Sequence, residues 1–391
     1  MTRYFSASEA SERLGVSRNT LYAYVSRGLV RSERTADGSK TNRYNALDVE
    51  RLATRSEVHK APAKALRETT DWGAPILESA ITLIADETFY YRGHCVPELA
   101  AGHSFEEILT LLWEAPNLVQ IEPDPALQRA IDAVLVRSRG ESPAEQFLST
   151  LVMLNREDTR TYRFSQETTV AAGVMIIASF VRILTGVWPS GDISGELAKA
   201  WRLDECGRTL LDSALVLVAD HELNISTFTA RCTASAGCSP YAAVAAATHA
   251  FWGRRHGGNT ERIRGLFDEA VGRGSLYEVI RSRLQRGDTV PGFGHRLYDA
   301  DPRARFLLER LPASSSCQGQ VRAALAQLPG LAHPTVDFAL VLLEKELGLP
   351  ERAGSNIFYL GRLAGLVAHI KEQYGENRPI RPRASYVGAR P

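Results

Sequence analysis

The stretch "PGFGHRLYDADPR", Pro291 to Arg303, sets His295 directly after a Gly-Phe-Gly step and follows it with Asp299, Asp301 and Arg303. A surface turn needs neither a histidine flanked by glycine nor an acid in front of a Pro-Arg step. Glycine lets a backbone approach its neighbour closely, so the segment reads as one built around a partner. Three other segments hold polar residues that apolar packing does not account for. "ADHELNIST", from Ala219, sets Asp220, His221, Glu222 and Asn224 at the end of an apolar helix. "FWGRRHGGNTERI", from Phe251, sets His256 before Gly257 and Gly258, where the backbone can approach a ligand. "HPTVDFALVLLEKELGLP", from His333, puts Asp337 in the first turn of a helix. There the exposed N–H groups and the dipole favour the charged carboxylate and leave it available as a base. Taken singly, each has a plain alternative: a turn residue for His256, a core histidine for His221, a helix cap for Asp337.

Around these segments the pattern is helical almost throughout. Apolar residues recur at helical spacing over Phe105–Trp113, Ala126–Arg137, Ala144–Asn155, Leu210–Ala219, Tyr241–Trp252, Val336–Leu347 and Asn356–Tyr374, with glycine and proline between them. The most apolar run, Thr168 to Trp188, is broken by Arg182 and reads as a buried core helix rather than a membrane span. The fold class is therefore all-α for a body of about three hundred residues.

The first sixty residues differ from that body. "SASEASERLGVSRNTLYAYVSRGLV" predicts a helix over Ala7–Leu14, a turn at Gly15-Val16-Ser17, and a second helix with Ser17 as its N-cap. The second helix would present Arg18, Asn19 and Tyr22, with Tyr24 beside them, side chains able to reach base edges or phosphates. Two short strands around Asp37-Gly38 and a helix from Ala46 follow. Residues 1–60 hold eleven Lys/Arg against seven Asp/Glu, whereas the whole chain of 391 residues carries a net charge of only +1. Any basic patch for nucleic acid thus sits on the one module shaped to use it. This module resembles the winged helix-turn-helix of the MerR and excisionase type. "HKAPAKALRETTDWG", His59 to Gly73, reads as a linker.

Five scattered cysteines without paired spacing argue against a disulfide framework or a zinc site and fit a reducing, cytoplasmic setting. The N-terminus has no apolar signal-peptide core, and no membrane partner is expected.

"GFGHRLYDADPRA" closely resembles the signature of citrate synthases, and the other segments follow in that family's order. "DHELNIST", "WGRRHGG" and "VDF" resemble its Asp-His-Glu, histidine-before-glycine and catalytic aspartate elements. "GRLAGLVAHI" and "RPRASYVG" resemble its last two arginine segments, and "YYRGHCVPELAAGHSFEEILTLLW" its early Tyr-Arg-Gly segment. The resemblance covers Leu77 to Gly388. It implies a two-lobed helical fold: a large domain over residues 73–257 and 347–391, a small one over 258–346, preceded by the helix-turn-helix over 1–58 and a linker over 59–72. It implies condensation of acetyl-CoA with oxaloacetate, with Asp337 as base, His256 as donor to the thioester oxygen and His295 as proton donor to the ketone. By the same resemblance His221, Arg303, Arg362 and Arg381 bind the dicarboxylate, and Val290, Pro291, Gly292, Phe293 and Gly294 receive coenzyme A. Arg381 would reach the neighbouring subunit's site, which implies a homodimer. No metal or other cofactor is implied, acetyl-CoA being a substrate. Plain alternatives remain an ion pair for Arg362 and a surface charge for Arg381.

The chain departs from the family twice. Where His-Gly-x-Ala-Asn is usual it reads "HGGNT", with Thr260 in the asparagine position. Between Tyr298 and Asp301 it carries only Asp299 and Ala300, where the family has a lysine and two more residues. Two alternatives stay open: a 2-methylcitrate synthase using propionyl-CoA, since one methylene discriminates weakly, and a DNA-binding regulator whose body senses an acyl-CoA or dicarboxylate.

Overall fold

The structure is a computed structural model and describes residues 4–34, 42–46, 48–49, 52–53, 77–116, 124–311, 316–328, 330–382 and 387–389. The chain separates into two compact units, Met1–Glu78 with Pro382–Pro391, and Ser79–Arg381.

The first unit runs β1 (Tyr4–Phe5), α1 (Ala7–Leu14), α2 (Arg18–Ser26), β2 (Ser32–Arg34) and β3 (Asn42–Asn45). Ser6 and Glu9 form a capping box on α1, the Ser6 N–H donating to Glu9 Oε2 at 2.7 Å. Gly15, at φ 61°, closes that helix, and the Thr20 N–H donates to Ser17 Oγ at 3.2 Å to start α2. Both the Ala7–Leu14 helix and the Ser17 cap lie where the sequence puts them. The strands form an antiparallel sheet in the order β1-β3-β2. It packs with α1 and α2 on a small core that includes Ala10, Leu14, Leu21, Val30 and Tyr44. The predicted Asp37-Gly38 turn and the 59–72 linker lie outside the described residues, as does part of the helix expected from Ala46.

The second unit opens with strands that the helical reading did not foresee: β4 (Thr82–Ala85), β5 (Thr88–Tyr91) and β6 (His94–Cys95). Asp86 and Glu87 between β4 and β5 have φ of 53° and 58°, and Arg92 and Gly93 between β5 and β6 have 45° and 89°. Positive φ at both central residues marks the two-residue hairpin turn whose twist suits antiparallel strands. Asp-Glu is an unusual dipeptide for it, which is why the turn was hard to read.

Helices then follow: α3 (Val96–Gly102), α4 (Phe105–Trp113), α5 (Pro125–Arg137), α6 (Pro143–Glu157), a 3₁₀ turn (Thr159–Arg163), α7 (Gln166–Thr185), α8 (Ile193–Trp201) and α9 (Glu205–Val218). Next come α10 (Ile225–Ser235), α11 (Pro240–Phe251), α12 (Asn259–Arg273), α13 (Leu276–Gln285), α14 (Pro302–Arg310), α15 (Ser316–Gln327), α16 (Val336–Glu346) and α17 (Ala353–Glu376). Helix α17 is buried on all sides from Ala353 to Lys371, as a helix without a polar stripe must be. It packs against α4, α7, α9, α10, α11 and α16. Helix α7 is long and apolar enough to cross a membrane. Its 172–181 stretch is instead buried in this unit, against α6, α8, α11 and α17.

Two glycines one turn apart on α17 let the end of α9 come close. The Gly365 N–H donates to Ala219 O at 2.9 Å. A Cβ on Gly361 would stand 2.7 Å from Leu215 O, and one on Gly365 2.5 Å from Ala219 O. Gly365→Ala is therefore expected to destabilise the protein by about 1–3 kcal/mol through overpacking. A lowered urea midpoint at unchanged slope checks this.

Candidate active site

The seam between α9 and α17 delivers the first group of polar side chains. The chain leaves α9 through Asp220 and His221 and turns at Glu222, at φ 54°. Asn224 then starts α10 by accepting the Thr227 N–H at 3.1 Å. Asp220 is fully buried, and its Oδ2 accepts from Thr82 Oγ1 at 2.5 Å and lies 3.3 Å from His369 Nε2. His221 points the other way, its Nε2 lying 2.9 Å from the Tyr298 hydroxyl. Burial, then the charges of Arg303 and Arg362, hold its pKa well below the ordinary imidazole value, so its ring is neutral. Arg362, 1% exposed on α17, donates Nε to Val218 O at 3.1 Å. Its Nη2 is buried with no hydrogen-bond partner among the described residues, a donor that suits an anionic ligand.

The opening stretch forms the second group. Gly292 and Gly294 have φ of 86° and 80°, which only glycine adopts readily. The Thr335 N–H donates to Gly292 O at 2.9 Å, and the Gly294 N–H to His333 O at 2.8 Å. Phe293 and Pro334 thus form a short antiparallel bridge. It ties the segment before His295 to the one that leads into α16 and Asp337.

Asp301 completes that tie. Its carboxylate receives the Arg303 guanidinium as a fork, Nε to Oδ1 and Nη2 to Oδ2 both at 2.9 Å. Oδ2 also accepts the Val336 N–H at 2.9 Å, at the start of α16. Burial alone would raise the Asp301 carboxyl, yet the Arg303 guanidinium and this N–H hold it below its usual value. One carboxylate therefore fixes both the cation at 303 and the helix carrying the acid at 337.

The His295 ring is neutral. Burial, then Arg303, lower its pKa to about 4. Its Nδ1 accepts the Leu297 N–H at 3.1 Å, and its Nε2 lies 3.4 Å from Arg303 Nη2. His256 lies in the turn before α12 and is lowered to about 3 by burial and then Arg362. Its Nε2 is 2.9 Å from Ser226 Oγ, which also lies 2.7 Å from Asn224 Oδ1.

Two expectations need correction. Asp337 sits in the first turn of α16, but its pKa is raised to about 6, not held down. Burial of the charge outweighs the helix terminus and the pull of Arg303. The Gly257-Gly258 step, expected to make room for a ligand, is closed in by the protein's own atoms where a Cβ would stand. A Cβ on Gly257 would enter the Phe251 ring, at 2.7 Å from Cδ1, and one on Gly258 would stand 2.9 Å from Gly253 O. The departure at Thr260 is absorbed locally: its hydroxyl lies 2.7 Å from both Gly257 O and Ser355 Oγ, joining the turn to the start of α17.

The fold thus gathers His221, His256, His295, Arg303, Arg362 and Asp337 closely enough for their charges to act on one another. Arg381 is exposed. Val290 to Gly294 line the bridge beside it. Ser226, Tyr298 and Asp301 belong to segments singled out in the sequence, but their contacts could not be read there. Among the described residues no group of three His, Cys, Asp or Glu is placed to hold a metal ion. In the first unit Arg18, Asn19 and Tyr22 are exposed on α2, whereas Tyr24 packs on the core.

This helical body is matched by a known family. Residues 70–383 fit the family model "Citrate synthase, C-terminal domain", and the chain belongs to the citrate synthase family. Residues 5–59 fit "MerR HTH family regulatory protein". Citrate synthase 2 of Bacillus subtilis is 29% identical over 81% of this chain and 94% of its own length. The 2-methylcitrate synthase of Shewanella oneidensis is 28% identical over 77% and 89%. The crystal structure of citrate synthase from Thermotoga maritima superposes with a TM-score of 0.67 at 25% identity, covering 81% of this chain and 94% of that one.

Proposed function

We propose that the chain condenses an acyl-coenzyme A thioester with oxaloacetate, as a citrate synthase. The observation that carries this reading is the double anchorage of Asp301, which sets a carboxylate-binding guanidinium beside a buried acid of raised pKa.

The methyl proton of acetyl-CoA is weakly acidic, so its removal needs a base and a donor to the thioester oxygen acting together. Asp337 takes the proton. By resemblance, His256 donates to the thioester oxygen. The enol carbon attacks the ketone carbon of oxaloacetate, and the ketone oxygen takes up a proton from His295. Arg303 and Arg362, with His221, hold the substrate carboxylates, for which forked guanidinium donors suit best. Water then cleaves the citryl thioester to citrate and free coenzyme A. By resemblance, Val290 to Gly294 receive coenzyme A, and Arg381 completes the site of a second subunit in a homodimer. Also by resemblance, residues 258–346 close over 73–257 and 347–391 to exclude water. The setting proposed is the cytoplasm.

The test is release of coenzyme A thiol by purified protein given oxaloacetate with acetyl-CoA or propionyl-CoA. Oxaloacetate-dependent release supports the reading, and the faster thioester decides between citrate and 2-methylcitrate synthesis. No release with either from folded protein overturns it.

A second reading concerns the first unit, where Arg18, Asn19 and Tyr22 stand exposed on α2. It proposes that this module binds duplex DNA, which makes a ligand-sensing regulator the alternative if catalysis fails. Binding to DNA is expected to weaken steeply with salt, and the Arg18→Glu, Asn19→Ala double variant to lose it. Retention unchanged by both salt and substitution would remove the idea.

A further inference from the structure

Each of the three site histidines meets a neighbour through a ring nitrogen: the Leu297 N–H at His295 Nδ1, Ser226 Oγ at His256 Nε2, and Tyr298 Oη at His221 Nε2. The third pair has no role in the condensation as described above. Tyr298 is 3% exposed. Its ring lies 4.9 Å from the His295 ring at 30°, and edge-on to the His221 ring at 5.7 Å. His221 and His295 also meet edge-on at 5.6 Å, so the three rings support one another.

The geometry points to Tyr298 as a positioning residue that fixes the tautomer and orientation of His221 for binding the keto acid. A buried hydroxyl that fails to donate forfeits a hydrogen bond and leaves a polar proton unpaired. Among the described residues the hydrogen bond of the Tyr298 hydroxyl is the one to His221 Nε2. The phenol keeps its proton, burial holding its pKa above the ordinary value. It therefore donates, and His221 Nε2 accepts. A neutral imidazole has one N–H, so in His221 the proton lies on Nδ1, which becomes the nitrogen that can donate to a substrate oxygen.

Two anchors follow Tyr298 in the chain. Tyr298 is separated from Asp301 by two residues, and Asp301 is anchored to Arg303 and to the start of α16. On its C-terminal side the Asp299 N–H donates to Glu87 Oε2 at 2.9 Å. The backbone that follows Tyr298 is thus held at residues 299 and 301. The role uses the condensation reading above for its substrate, but not for its geometry.

Tyr298→Phe keeps the ring and removes only the hydroxyl. The expected result is a KM for oxaloacetate raised roughly three- to tenfold, with kcat and the thioester KM within twofold and the melting temperature unchanged. An oxaloacetate KM within twofold of wild type overturns the proposal. Independently of any activity, two-bond 15N–1H spectra of protein labelled on histidine report the tautomer, with His221 identified by the loss of its signals in His221→Asn. Wild type is expected to show His221 with its proton on Nδ1, and Tyr298→Phe a loss of that preference. A proton on Nε2 in wild type overturns the proposal even if the chain condenses no thioester at all.

Discussion

Asp337→Asn lowers kcat for oxaloacetate-dependent thiol release by about 10²–10⁴-fold, the usual worth of a positioned general base, while oxaloacetate binding measured by calorimetry persists. The pH profile of wild type supplies a second reading of the same group. A base must be unprotonated to act, so with a pKa of about 6 activity falls as pH drops through that value. His256 and His295, at about 3 and 4, do not titrate in that window. The effect on stability has the opposite sign to that of a salt-bridged carboxylate. The folded pKa lies above the unfolded value of about 4, so the folded state binds the proton more tightly. The stabilisation this gives is fully present below pH 4 and is lost as pH rises through 6. Asp337→Asn is therefore expected to lose less melting temperature than wild type between pH 5 and pH 8. A variant that is both active and as pH-sensitive as wild type would remove Asp337 from the role of base.

Asp301→Ala has the largest expected effect on the fold. It leaves Arg303, 3% exposed, without its counter-charge, and the Val336 N–H without its acceptor. Removing one partner of a buried pair costs about 3–5 kcal/mol, readable in urea unfolding. The double variant Asp301→Ala, Arg303→Met removes both charges and is expected to recover most of that loss without recovering oxaloacetate binding. Stability restored together with binding would show that Arg303 serves the fold alone.

Much of this was legible in sequence because the relevant physics is local. The periodicity over Phe105–Trp113 and Val336–Leu347 marks helices that end within a residue of the prediction. Ser17 caps α2 by the chemistry any serine has at a helix start. The site residues were legible as a set, through several short motifs in a fixed order, and the fold brings six of them together. What the sequence concealed depends on contacts between distant segments. The sign of the Asp337 shift follows from burial, which no first-turn position reveals. Gly257 looked available to a ligand because nothing in "HGGN" tells that the Phe251 ring fills the space. The β4–β6 hairpins stayed hidden since Asp86-Glu87 is a poor turn signal. Helix α14 was missed because it is short and Arg303 stands in its first turn, and α12 was not read although Ile263, Leu266, Phe267 and Ala270 recur at helical spacing.

The Phe293–Pro334 bridge and the Asp301 carboxylate grip the opening stretch on either side of His295. Both fasten it to the same short piece of chain, residues 334–336. Between those two grips the loop can lose or gain a residue without moving either end relative to the acid at 337. The shortened run from Tyr298 to Asp301 is then a change of slack, not of aim. The two grips hold Arg303 and the start of α16 to the loop that carries His295, whatever the number of residues between them.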